Sequence, residues 1–82
     1  MRHASNESLD KLNGLLERVR EFSALKEKSR GSFYKKSSAM LHFHEDPAGL
    51  FADLKVGSDW ARFPVNTQTE RRRLLAKLSS LI

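Results

Sequence analysis

Ala39-Met40-Leu41-His42-Phe43-His44-Glu45-Asp46-Pro47-Ala48-Gly49-Leu50-Phe51-Ala52-Asp53-Leu54-Lys55-Val56-Gly57-Ser58-Asp59-Trp60-Ala61-Arg62-Phe63-Pro64-Val65 is the stretch whose reading decides the fold. Ala39, Leu41 and Phe43 alternate with Met40, His42 and His44, Leu50 to Val56 alternates with Phe51, Asp53 and Lys55, and Ala61, Phe63 and Val65 alternate with Trp60, Arg62 and Pro64. A period of two belongs to strands with one packed face and one polar face. Asp46-Pro47-Ala48-Gly49 sets Asp, Pro and Gly at the positions a type I turn prefers, and Gly57-Ser58-Asp59 turns the chain again. Three antiparallel strands result. Pro64 has no N–H for a ladder, so the third strand is expected to be an edge or to end there. Phe33 and Tyr34 are read as a short fourth strand.

On either side of this core the period lengthens. Leu9, Leu12, Leu16, Val19 and Phe22 recur at helical steps, which predicts one amphipathic helix over about residues 7 to 27. Asn6 or Ser8 is the expected cap, and Lys26 to Arg30 with Gly31 the expected basic end and glycine stop. Thr67-Gln68-Thr69-Glu70 is a capping box, and Leu74, Leu75, Leu78, Leu81 and Ile82 form the stripe of the helix that follows. The expected fold is therefore α+β in the order α-β-β-β-α, two helices covering one face of a small antiparallel meander, with residues 1–6 as a flexible N-terminus.

The chain has 82 residues, no cysteine, and 15 Lys plus Arg against 10 Asp plus Glu, for a formal charge of +5. A chain of this length forms one domain with one thin core, spanning residues 1–82, and has no second lobe to build an interdomain cleft. Lack of cysteine removes disulfides, thiolate nucleophiles and Cys-based zinc sites, and suits a reducing, cytoplasmic setting. No apolar run approaches the roughly 18 residues of a membrane span, so no membrane partner is expected.

The strand alternation sends His42, His44, Phe51, Asp53, Lys55, Trp60 and Arg62 to the face away from the helices. If Asp46 to Gly49 closes the first hairpin, His44 lies opposite Phe51, His42 opposite Asp53 and Met40 opposite Lys55. If Gly57-Ser58 is a two-residue turn, Asp53 lies opposite Arg62 and Lys55 opposite Trp60. A row of His42, Asp53 and Arg62 then crosses the sheet, flanked by Phe51 and Trp60. Three uses of that face compete. His42 and His44, completed by Asp53, have the donor chemistry for zinc, nickel or copper. Phe51 and Trp60 suit stacking on bases while Lys55, Arg62 and the histidines attract phosphate. The plain alternative is packing of the rings against Tyr34, the first helix or a twofold partner.

The excess charge lies toward the two ends of the chain. Arg71, Arg72 and Arg73 open the last helix, where the macrodipole is already positive, an arrangement that suits an anion. A net positive charge favours salt-sensitive attraction to polyanions without sequence readout. Catalysis has little footing: there is no glycine-rich phosphate loop and no nucleophile elbow, and only His42 with Asp53 offers an oriented general base.

Phe33-Tyr34, the run from Leu41 to Leu54, Arg62-Phe63-Pro64-Val65 and Glu70 together resemble a group of short bacterial proteins of unassigned function. That resemblance covers about the last fifty residues and implies a compact α-β-β-β-α domain in a bacterial cytoplasm. It carries over no activity, ligand or catalytic residue. The expectation from the residues is a small basic, non-enzymatic binding module for an anionic partner, nucleic acid or acidic protein. Lys55, Arg62, Arg71, Arg72, Arg73, Phe51 and Trp60 are its contact residues. The alternatives are a metal-binding protein using His42, His44 and Asp53, and a homodimeric structural module.

Overall fold

The computed structural model describes residues 1–82. Its elements are β1 (Arg2–His3), α1 (Asn6–Lys11), α2 (Asn13–Arg20), β2 (Lys26–Ser29), β3 (Ser32–Lys35), β4 (Ser38–Asp46), β5 (Gly49–Val56), β6 (Asp59–Pro64) and α3 (Gln68–Leu81). The class is α+β, with three helices and a six-stranded antiparallel sheet. The strand order is β2-β3-β4-β5-β6, with β1 also paired to β4. The central meander matches the strands and turns read from alternation. The sheet is larger than the three or four strands expected, because Arg2–His3 and the charged Lys26–Ser29 add to it on the β3 side of β4.

The first of these corrections concerns the expected long helix. It breaks at Leu12, whose φ of −100° and ψ of 10° separate α1 from α2, and it ends at Arg20. Ser5, rather than Asn6 or Ser8, caps α1 by accepting the Ser8 amide at 3.2 Å. Leu9, Leu12, Leu16 and Val19 are buried as the stripe required. Lys26-Glu27-Lys28-Ser29 leaves the helix altogether and forms the edge strand β2, hairpinned to β3 through Arg30 and Gly31. Glu27 turns toward the helices, where Arg20 holds it through two bonds of 2.6 and 3.0 Å, while Lys26 and Lys28 project from the opposite side. A lysine-bearing edge resists further strand addition. Gly31 adopts a φ of +81°, so the turn favours glycine, and a Cβ there would press on Leu9 Cδ2 at 2.9 Å.

The second correction concerns the N-terminus. Arg2 pairs with Glu45 and His3 with His44, on the edge of β4 that β3 occupies farther along through Ser32 and His42. Residues expected to be flexible are thus tied to the sheet. Glu45 secures them, accepting from Arg2 Nε at 3.0 Å and from the Ser5 amide at 2.6 Å. Those donors hold its carboxyl far below the usual range, at about 2, the Ser5 amide contributing most.

Both central turns close as expected. Glu45 pairs with Leu50 and Asp46 with Gly49, and Val56 pairs with Asp59 across Gly57-Ser58. The register fails at one place. Leu41 pairs with Phe33 and Ala39 with Tyr34, leaving Met40 as an extra residue in a bulge. Met40 is therefore buried in the core instead of lying opposite Lys55, and Ala39 moves out of the core set. From Leu41 to Val65 the alternation holds, and Leu41, Phe43, Ala52, Leu54 and Val65 are buried with Leu74 and Leu78 of α3 in one cluster. No polar or charged residue is buried there. β6 is an edge strand, as Pro64 demands. The capping box of α3 forms completely, with Thr67 Oγ1 accepting from Glu70 N at 3.1 Å and Glu70 Oε1 accepting from Thr67 N at 3.1 Å. No helix is long and apolar enough to cross a membrane.

Candidate functional site on the open sheet face

The side chains that alternate with the core set gather on the uncovered face. His42 pairs across β4 and β5 with Asp53, and Asp53 pairs across β5 and β6 with Arg62, so the expected row forms. His44, Phe51 and Pro64 form the adjacent row, and Lys55 faces Trp60. Arg62 grips Asp53 with two parallel bonds, Nε to Oδ1 at 2.8 Å and Nη2 to Oδ2 at 3.0 Å. This fork is the geometry in which guanidinium binds carboxylate best. It holds the Asp53 carboxyl below its ordinary value, the Arg62 hydrogen bond outweighing the opposing effect of partial burial.

The histidine that meets Asp53 is not the one directly opposite. His44 Nε2 lies 3.2 Å from Asp53 Oδ2, a diagonal contact, whereas the His42 ring packs against Trp60 in a T-shaped arrangement at a centroid distance of 5.2 Å. Diagonal neighbours on an antiparallel pair lie within reach of long or aromatic side chains. An imidazole oriented by Asp53 therefore exists, but it is His44 rather than His42. His42 Nδ1 is shut from solvent with no hydrogen-bond partner. Burial above all, then the neighbouring His3 and His44, push the His42 imidazole below its ordinary pKa and favour the neutral ring.

His3 completes a cluster that sequence reading missed. Its ring lies 5.0 Å from His44 and 5.7 Å from His42, and His42 and His44 are 6.3 Å apart. Residues 1–6 contain no alternation long enough to signal a strand, and a two-residue strand has none to show. The sequence offers the even spacing of His42 and His44 on one strand face, but nothing in it ties His3 to them. Among the three imidazoles and Asp53, however, no set of three or more His, Asp or Glu side chains is arranged to hold a metal ion. Asp53 is already committed to Arg62 and His44.

The face also extends beyond the residues anticipated. Lys35 reaches the Leu81 carbonyl of α3 at 3.4 Å on the covered side, which places Tyr34 on the open side, with Lys28 Nζ 4.5 Å from its ring centroid. Lys55 Nζ lies 5.2 Å from the Trp60 ring centroid, and Trp60 is 44% exposed. Two ammonium groups thus sit over two aromatic rings on the same side of the sheet, the attractive geometry for a cation and a π-system. Lys26 lies beside them, paired across to Tyr34. Lys26, Lys28, Lys55 and Arg62 outnumber the acids Asp46 and Asp53 on this face.

The arginine triplet is elsewhere. Arg71 is half-buried and donates Nε to the Val65 carbonyl at 2.8 Å, while Arg72 and Arg73 are exposed on α3, the helix that packs on the covered side. These three do not join Lys55, Arg62, Phe51 and Trp60 in one surface. A cleft of about 770 Å³ lies at the hairpin end of the molecule, lined among others by Arg2, Lys11, Glu45, Asp46, Asn66 and Arg71. Its charges are mixed, and Arg2 and Glu45 already pair there.

No family model, curated protein or solved structure matches the chain, so the chemistry of the open face is read from its own geometry.

Proposed function

We propose that this chain is a binding module that lays an anionic partner, a single-stranded nucleic acid, across the open face of its sheet. The observation that carries this reading is the pairing of ring and cation on one uncovered surface: Tyr34 with Lys28 and Trp60 with Lys55, flanked by Lys26 and Arg62. Aromatic faces stack on bases of any sequence, at about 1–3 kcal/mol per base, while flexible lysines swing to the phosphates between them. An acidic protein would engage the lysines by charge, whereas a single strand engages rings and lysines together, base against ring and phosphate against ammonium. The largest exposed ring, Trp60, is where a base meets least obstruction. Arg72 and Arg73 form a separate basic surface on the far side and are not needed for this contact.

Trp60 is the only tryptophan of the chain and reports directly on the face. Titration with oligothymidylate at low salt is expected to quench its fluorescence, with an affinity that falls linearly in the logarithm of salt concentration. Lys28→Ala and Lys55→Ala weaken binding and flatten the salt slope, and Trp60→Ala, followed by anisotropy of a labelled strand, weakens it without changing that slope. Absence of any salt-dependent signal with single strands would refute the reading. Equal response to polyglutamate would replace the nucleic acid with an acidic polypeptide.

A further inference from the structure

The three-histidine cluster is not explained by ring stacking or by fixed charge. We propose that His3, His42 and His44 form a proton-linked oxyanion site that receives a phosphodiester group of the bound strand. This deepens the reading above by assigning the regulation of the same face, which it makes pH-sensitive.

Side chains of β1, β3, β4, β5 and β6 surround the imidazoles. Arg2 and Glu45 flank His3 along β1 and β4, and they pair with each other. Ser32 lies opposite His42 on β3. Asp53 on β5 is the carboxylate that faces the cluster, and its oxygens already accept from Arg62 of β6 and meet His44. Phe51 of β5 and Trp60 of β6 supply apolar walls, and Lys55 adds a positive charge beside Trp60. The cluster therefore holds one shared carboxylate for three imidazoles.

One carboxylate, Asp53, touches the cluster, and it meets a single ring, His44. Protonating more than one ring brings like charges to centroids 5.0–6.3 Å apart, with no second counter-charge among them. His42, whose Nδ1 is sealed and unpartnered, is the least favourable ring to charge. An oxyanion placed against the rings supplies the missing countercharge. Protonation and anion binding thus favour each other, and linkage requires that each proton taken up steepens the affinity by about tenfold per pH unit across the range in which it is taken up. Lys and Arg side chains stay charged throughout that range, and Asp53 is held ionised by Arg62, so imidazole is the group on this face that changes. β1 makes the site whole, and its two-residue pairing with β4 is what brings His3 into it.

A metal ion is the competing occupant for three imidazoles. It is less favoured, because no three of these side chains are arranged to hold one.

Oligothymidylate lacking terminal phosphates is the probe of choice, since internal phosphodiesters do not titrate near neutrality. In the presence of EDTA, its affinity is expected to rise at least about tenfold between pH of about 7.5 and 5.5, and calorimetry in two buffers of different ionisation enthalpy should count about one or more protons taken up. His3→Gln, His42→Gln and His44→Gln together should leave a weaker binding with no pH dependence, while the salt dependence from Lys28, Lys55 and Arg62 remains. Sulfate gives an independent readout: added to the free protein, it should move the NMR titration midpoints of the three imidazoles upward. Sulfate that moves none of them, or a pH dependence that survives in the triple variant, overturns the proposal even if oligonucleotide binds. Sulfate shifts without oligonucleotide binding at any pH would retain the oxyanion site and refute the nucleic-acid reading instead. Binding that appears only with added zinc and vanishes with EDTA would overturn it in favour of a metal.

Discussion

Leu41 and Phe43 point down from β4 into a cluster without a single buried polar residue, while His42 and His44, their immediate neighbours, point up into a group of imidazoles, a carboxylate and a guanidinium. The two faces share a backbone and a register, yet they do different work. The lower face removes apolar surface from water, which is the main source of stability in a domain this small. The upper face gains little stability from its contacts, since exposed ion pairs and half-exposed rings are weak. Side chains kept on such a surface are free to serve recognition, and substitution separates the two roles.

The largest effect is expected on the covered side. Leu54 is completely buried, and Leu54→Ala should cost about 2–5 kcal/mol, read as a fall in the urea midpoint. A loss similar to that from substitutions on the open face would erase the distinction between the faces. Next comes the turn that decides which residues face which way. Gly49 has a φ of +137°, and a Cβ there would lie 2.8 Å from Asn66 Oδ1, which accepts the Leu50 amide at 2.8 Å. Gly49→Ala should therefore cost about 1–3 kcal/mol in thermal or urea melts, because both the backbone conformation and the Asn66 bracket oppose it. A neutral result would show that the hairpin tolerates another geometry, and a one-residue slip would exchange the two faces.

On the open face, Trp60→Ala should change stability by no more than about 0.5 kcal/mol while removing the proposed stacking contact. A clear loss of stability would mean that the ring is structural. The smallest effect is a dependence on pH. Because His42 titrates below its ordinary value in the folded chain, the unfolded chain binds more protons as the pH falls through about 6.5. Stability is then full above that value, declines as the pH drops through it, and levels off below the folded-state pKa. His42→Leu should flatten this decline between about pH 7.5 and 5.5 in thermal melts. An unchanged decline would assign it to other groups. Asp53 acts at lower pH in the same sense: its contribution is present above about pH 4 and is lost as its folded-state pKa is passed.

Much of the central meander was legible because each signal was local. Asp46 to Gly49 and Gly57-Ser58 set two turns, and two turns set the row His42, Asp53, Arg62. The bulge at Met40 was not legible: Ala39-Met40-Leu41 reads as continuous alternation, and the extra residue appears only when Phe33 and Tyr34 dock against it. Nor was the strand at Lys26-Glu27-Lys28-Ser29, since a charged edge strand shows no apolar period and its lysines resemble the basic end of a helix. The triplet Arg71 to Arg73 invited a single basic site with Arg62, and the packing of α3 on the opposite side of the sheet divides them.

What the linear order of residues determined by itself was parity: between Leu41 and Val65, a two-residue repeat on an extended backbone leaves each side chain no choice of face. What only the tertiary structure decided was company. His3 meets His42 and His44 across some forty residues of chain, and Tyr34 and Lys28 join Trp60 and Lys55 on one surface, because separate segments satisfy their backbone hydrogen bonds along the edges of the same sheet. Pairing of that kind depends on which edges remain open once the core has formed, and no local pattern records it.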